Sequence, residues 1–213
     1  MLEIFSDKEL LANVRAEAEA CRKEGGSGFD IHKLLKSPLL QSVYAEVLRM
    51  RVHMLITRIP QYDNIKIHNW LIPRGKVAVL STTVAHMNPS HWNTGDNNEH
   101  PTTKFWAGRF LSQKPKEDSS TYTTKDPGSW FPYGGGPRMC PGRHFAKRDI
   151  IFTAALIATK FDIELGVNVP SLKMDMRGFG LGTMSVQGAV PVRIKRRERA
   201  RLNATVGSVS ANQ

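Results

Sequence analysis

The residue types best suited to chemistry lie in one run, Trp130-Phe-Pro-Tyr-Gly-Gly-Gly-Pro-Arg-Met-Cys-Pro-Gly-Arg-His-Phe-Ala146. There Gly134, Gly135 and Gly136 and two prolines bracket Cys140 ahead of an apolar helical stretch. Glycine reaches backbone angles closed to other residues, so these three let the chain turn tightly and lie against a flat partner. Pro137 and Pro141 restrict the backbone on either side of the cysteine. The spacing predicts a helix over 142–158, which sets the thiol just before a helix N-terminus. Unpaired N–H groups and the positive dipole end there favour an anion, hence a thiolate. Pro141 has no N–H, so donors to the sulfur would come from Gly142, Arg143 and the residues after them. The chemistry that fits is a thiolate metal ligand. A lone cysteine is more often a packed small residue, and a glycine loop before a helix can cradle phosphate. No G-x-x-x-x-G-K-[S/T] occurs, however, and His86, His91, His100 and His144 show no paired zinc-ligand spacing.

Elements that could position this loop are readable on either side of it. Ser6 with Glu9 has the form of a capping box, and Leu10, Leu11, Val14, Ala18 and Cys21 follow at helical spacing until Gly25-Gly26. Cys21 reads as a buried small hydrophobe. Ser37-Pro38 opens a second helix whose apolar residues, Leu39 to Met50, cover most of its circumference. Glu46 and Arg49 lie three apart at the margin of that arc and are not placed for water. Segments 65–68 and 76–85 are β-prone, with Ile72-Pro-Arg-Gly75 as the intervening turn. Arg109 sits among aromatics in 104–111 and reads as anchored, while 112–129 reads as a surface meander. Segments 161–165 and 190–194 are strand-like, with a glycine-rich turn at 178–183 between them.

The spacing Tyr133-Gly134-x-Gly136-x-Arg138-x-Cys140-x-Gly142 resembles the haem-thiolate signature of the cytochrome P-450 family, F-G-x-G-x-R-x-C-x-G, with Ala146 at its usual small position. Tyr133 is the departure. Glu46-Val-Leu-Arg49 is similar to the family's E-x-x-R, and Arg109-Phe110 to the arginine of its later P-E-R-F-type segment, in the family's order. The resemblance implies a mainly α fold with small β-sheets, the C-terminal, proximal haem-binding half of that fold. Residues 1–201 would form this portion of a single haem-thiolate monooxygenase domain, and 202–213 a disordered tail. It further implies that Cys140 is the axial ligand of haem iron, with Arg138 and Arg58 on its propionates. Gly136 and Gly142 would line the cofactor, and Glu46, Arg49 and Arg109 would form a buried structural triad. Residues 53–57 and 180–183 would then lie along a pocket for a lipophilic substrate. The loop is similar to those of eukaryotic, in particular fungal, members, which points to oxidation of a lipophilic secondary metabolite or a sterol.

The resemblance corresponds to the family's C-terminal half only. No A-G-x-[D/E]-T-like stretch occurs in the chain. The distal oxygen-binding half is thus expected to be missing, and the chain, a fragment or the product of a truncated gene, is not expected to hydroxylate by itself. Composition sets wider bounds. The 213 residues suffice for one large domain. No run approaches the ~20 apolar residues of a membrane span, and the N-terminus lacks the form of a signal peptide. The chain as written therefore reads as soluble and cytoplasmic, whereas family members in eukaryotes usually sit on the cytosolic face of the endoplasmic reticulum. Two cysteines far apart point to a reducing compartment. The net charge of +11 admits a basic nucleic-acid-binding module as the rival, motivated by the basic run 193–201. No nucleic-acid motif or aromatic platform accompanies that charge, so no nucleic acid is expected. The charge fits an acidic electron donor, a flavoprotein reductase or an iron–sulfur protein.

Overall fold

The computed structural model describes residues 1–25, 28–113, 120–122 and 128–197. The tail expected at 202–213 and most of the meander lie outside them. The core is helical. A short α1 (Leu2–Ser6) leads into α2 (Lys8–Ala20), then α3 (Ile31–Leu34) and α4 (Pro38–Arg51). Their buried faces meet that of α6 (Arg143–Lys160) through Ile4, Leu10, Val14, Leu34, Leu40, Val43, Leu48, Ile151 and Ala155. Small antiparallel sheets complete the described architecture, which is mainly α as expected.

The start of α2 corrects the capping box. Ser6 ends α1, and the cap is Asp7, whose extended backbone lets its carboxylate accept from both the Glu9 and Leu10 N–H groups. Ser37 flanks α4 with Pro38 at its first position, as the sequence predicts, but its hydroxyl does not cap the helix. Glu17 on α2 does so from outside, taking the Leu39 and Leu40 N–H groups at 2.9 and 2.8 Å. Burial pushes the Glu17 carboxyl up, and those two donors pull it back. Glu17→Ala is therefore expected to lower stability by about 1 kcal/mol, or roughly 3 °C in thermal melting. An unchanged melting curve would show the cap to be dispensable.

After α4 the chain runs directly into β1 (Val52–Arg58), which the sequence reading did not mark as a strand. A hairpin follows, β2 (Ile65–Ile67) and β3 (Trp70–Ile72), then β4 (Ala78–Ser81) and α5 (Thr82–Met87). The expected strand over 76–85 is thus four residues long and ends in a helix. Thr82 makes the break: its buried hydroxyl accepts from the Met54 N–H and donates to the Val52 carbonyl, so a side chain replaces ladder bonds and the backbone turns away. Next come β5 (Leu111–Gln113) and β6 (Ser120–Tyr122), a paired couple between α5 and α6. Beyond α6, β7 (Phe161–Leu165) precedes β8 (Leu181–Thr183) and β9 (Val192–Arg196). β7 falls on the strand expected at 161–165, β9 lies two residues beyond the one expected at 190–194, and the two pair antiparallel. The glycine-rich segment 178–183, expected as a turn, contributes β8. Its register against β1, Val52 opposite Thr183 and Met54 opposite Leu181, satisfies an edge that would otherwise be bare. β4 pairs with the far half of β1, giving the order β4-β1-β8.

Candidate functional site

Glu46 and Arg49 occupy neighbouring rows of α4, and both are fully buried together with the Arg109 side chain. Arg49 grips Glu46 through two bonds, Nε to Oε2 at 2.8 Å and Nη2 to Oε1 at 2.9 Å. Arg109 Nε reaches Glu46 Oε1 at 2.9 Å, and the Trp106 N–H adds a fourth donor at 3.2 Å. One carboxylate thus faces two guanidinium groups, and the remaining donors go to backbone carbonyls, apart from an Arg49 Nη1 contact to Met87 Sδ at 3.6 Å. Arg49 serves the carbonyls of His86 and Thr102. Arg109 serves those of Asn93, His100, Pro101 and Lys104. Burial pushes the Arg109 guanidinium down from its ordinary value, and Glu46 pulls it back up. The arrangement is architectural: charged side chains saturate the carbonyls of a segment with little regular structure. Ser42, one turn before Glu46, extends the polar stripe by bonding the Ala107 carbonyl and the Phe110 N–H.

The cysteine loop is fastened to the same framework. Trp130 Nε1 donates to the Ala45 carbonyl on α4 at 3.2 Å, and the Phe131 N–H donates to His86 Nε2 on α5 at 3.3 Å. Tyr133 bonds hydroxyl to hydroxyl with Tyr44 on α4 at 2.7 Å, and its carbonyl accepts the Cys140 N–H at 3.0 Å. Gly134 and Gly136 have φ of +77° and +70°, conformations that L side chains rarely adopt. Gly136–Arg138 forms a single 3-10 turn, and Gly142 flanks α6, which starts one residue later than the predicted range and ends at Lys160. Cys140 is exposed at the head of that helix, whereas Cys21 is buried against Ser37. Of the donors expected at the sulfur, Arg143 is directed elsewhere: its N–H and its side chain both bond the Cys140 carbonyl, at 3.4 and 3.0 Å.

Arg58, at the end of β1, reaches the Gly135 carbonyl at 3.3 Å and so lies beside the turn carrying Arg138, itself exposed. Next to it, β1, β4, α5 and β8 carry exposed apolar side chains. Leu55, Val79, Leu80, Val84 and Leu181 are all exposed on these elements, Val84 and Leu181 by 72 % and 83 %. Val79 and Leu80 are strand neighbours and point to opposite faces, so the described residues leave both faces of β4 open. Cβ atoms added at Gly134, Gly135 or Gly136 would meet nothing within 4 Å. An exposed thiol, a loop surface kept free of side chains, two nearby guanidinium groups and an apolar bed suit a flat apolar group that bears carboxylates and a thiol-binding metal. Among the described residues no group of three or more His, Cys, Asp and Glu could hold a metal ion, and no helix is long and apolar enough to cross a membrane.

His86 escaped the sequence reading except as a histidine without zinc spacing. Its carbonyl receives Arg49, its ring nitrogen receives the loop, and the ring packs on Phe131 at 5.5 Å between centroids. No local signal marks it, because six-residue α5 is too short to show periodicity. Burial depresses this imidazole to about 4, with the Arg49 and His53 charges adding to the effect. The neutral ring belongs to the fold and the charged one to the unfolded chain. Stability from this group is present above the ordinary value of 6.5 and is lost as pH falls through about 4. The loss approaches 3 kcal/mol, since each unit corresponds to ~1.4 kcal/mol. Urea unfolding at pH 7.5 and 4.5 is expected to show a fall that His86→Gln flattens. An equal fall in the variant would place the acid sensitivity elsewhere.

Comparison with known proteins agrees with this geometry. The sequence profile of the family described as Cytochrome P450 matches residues 1–190. The chain is 40% identical to Cytochrome P450 monooxygenase efuG of Hormonema carpetanum over 224 aligned residues, covering 93% of this chain and 40% of that protein. It is 38% identical to Cytochrome P450 monooxygenase fsoE of Humicola fuscoatra, with 93% and 38% covered. Against Cytochrome P450 monooxygenase calL of Penicillium decumbens the identity is 37%, with 78% and 31% covered. The chain spans about two fifths of the length of efuG. A profile match over most of the residues, and a loop, triad and sheet in one consistent arrangement, lead to one conclusion: this chain belongs to the cytochrome P450 family, carries part of its fold, and has thiolate-ligated haem as its family cofactor.

Proposed function

We propose that this chain supplies the proximal, haem-binding side of a monooxygenase that acts on a lipophilic substrate, with Cys140 as the axial ligand. The observation that carries the reading is the exposed Cys140 at the head of α6, in a loop fastened to the buried triad helix. Bound there, haem would supply O–O cleavage and oxygen insertion, chemistry that a thiolate ligand favours. The chain's own residues bind and orient. Arg138 and Arg58 offer paired donors to the propionates, Gly136 and Gly142 leave room for the ring edge, and β1, β4 and β8 provide apolar contact. Residues 53–57 and 180–183 lie on β1 and the β8 segment paired with it, which supports their place along the substrate pocket. The fungal P450 relatives favour a role in secondary metabolism. The charge of +11 favours an acidic flavoprotein reductase or iron–sulfur donor.

The uncovered apolar surface favours a second statement: the 213 residues alone take haem weakly and do not turn over substrate. Haem titration of this chain is expected to give heterogeneous spectra. The same region carried in a protein of the relatives' length should show the red-shifted ferrous–carbonyl band of thiolate-bound haem. Absence of that band from the longer protein would refute the haem-thiolate reading. A homogeneous one-to-one complex with the chain alone would refute the second statement.

A further inference from the structure

Tyr133 stands where the family signature has phenylalanine, and it holds the cysteine's backbone N–H. Its carbonyl accepts the Cys140 N–H at 3.0 Å, while its hydroxyl lies 2.7 Å from that of Tyr44. Tyr44 is 5 % exposed and sits on α4 two residues before Glu46. Lys147 on α6 approaches the Tyr44 ring as well. Its Nζ lies 5.9 Å from the Tyr44 ring centroid and 5.6 Å from that of Tyr122, and it donates to Gln41 Oε1 at 2.7 Å. Burial pushes the Tyr44 phenol up, so its hydroxyl stays protonated and able to share a hydrogen bond. A phenylalanine ring could hold this position only by contact, which tolerates sliding. A hydroxyl pair fixes a distance and a direction.

We propose that the Tyr44–Tyr133 hydroxyl pair is a tether that sets the position of the Cys140 backbone relative to the triad helix, making both tyrosines positioning residues for the axial sulfur. Its purpose rests on the haem-thiolate reading; its geometry does not. Removing either hydroxyl takes from the other the partner it has here, whereas removing both leaves neither to be satisfied. The two single variants should therefore resemble each other, and the double variant should be no worse than either.

Amide hydrogen exchange of the full 213-residue chain tests this without haem. Tyr44→Phe and Tyr133→Phe are each expected to speed exchange of the Cys140 N–H by about fivefold, the factor that one net hydrogen bond carries. Exchange in Tyr44→Phe/Tyr133→Phe should be no faster, and the Leu48 and Ala155 amides in the helix interiors should be unchanged. Equal acceleration at Leu48 and Ala155 would mean general loss of stability and would overturn the tether. So would unchanged exchange at Cys140, or effects that multiply in the double variant. In a haem-loaded protein of the relatives' length, each single variant should convert part of the red-shifted ferrous–carbonyl band to an unshifted one. Full retention of the band overturns the role in placing the sulfur. A wild type without the band defeats the haem-thiolate reading instead, and the exchange result still decides the tether.

Discussion

Replacing Cys140 by serine is expected to abolish the red-shifted ferrous–carbonyl band of a haem-loaded protein of the relatives' length while leaving the fold intact. A hydroxyl at this place has a far higher pKa than a thiol and gives no thiolate to push charge onto iron. Cys140 is exposed, and its structural bond to Tyr133 is made by the backbone N–H, which serine keeps. The substitution should accordingly change stability by no more than about 0.5 kcal/mol. The two measurements belong together: circular dichroism of the variant should melt as the wild type does, and the carbonyl spectrum should lose the shifted band entirely. A serine variant that keeps the band would remove Cys140 from the role of ligand. Cys21→Ser is the control. Its sulfur is buried against Ser37 and has no path to the apolar surface, so the band should survive that change.

Truncating the triad is expected to have the largest effect on stability. Glu46→Ala leaves two guanidinium groups buried without a counter-charge, a situation that typically costs ~3–5 kcal/mol. Against a total of about 5–15 kcal/mol for an ordinary domain, that is a large fraction. Arg109→Lys should be nearly as damaging, although it conserves the charge. The guanidinium reaches Glu46 and four backbone carbonyls at once, and an ammonium group on a flexible stem cannot span that set. Urea unfolding should show midpoints well below wild type for both variants, with losses within about 1 kcal/mol of each other. If Arg109→Lys retained wild-type stability, charge alone would be holding the segment and the carbonyl contacts would be incidental.

The parts legible in the sequence were those whose signal is local or periodic. Helices α2, α4 and α6 have apolar spacing over three or more turns, and Glu46 and Arg49 could be placed on one face by counting. The triad as a set came from order and resemblance, because nothing in 104–111 says which carboxylate Arg109 meets. Elements decided by distant partners were missed or misread. β1 and β8 are strands because they pair with each other across more than a hundred residues. Residues 82–85 leave β geometry because a threonine hydroxyl takes the place of ladder bonds. Ser6 looked like a cap, yet the neighbouring aspartate held the better geometry. The glycine loop was recognised as a turn before a helix. Its attachments through Tyr44, Ala45 and His86 have no sequence signature at all.

The reach of the Arg109 side chain bears on the order in which the protein is assembled. Glu46 and Arg49 are three residues apart and can meet as soon as α4 forms. Arg109 joins Glu46 across 63 positions while gathering carbonyls from 93 to 104. The first contact closes no loop, whereas the second must recover the entropy of closing a long one. Until residue 109 is in place, the charge cluster on α4 can be only half made. The loop that carries Cys140 comes later still. Non-local closure of this kind is slow relative to helix formation, so the charge cluster is expected to be completed after α4 has formed.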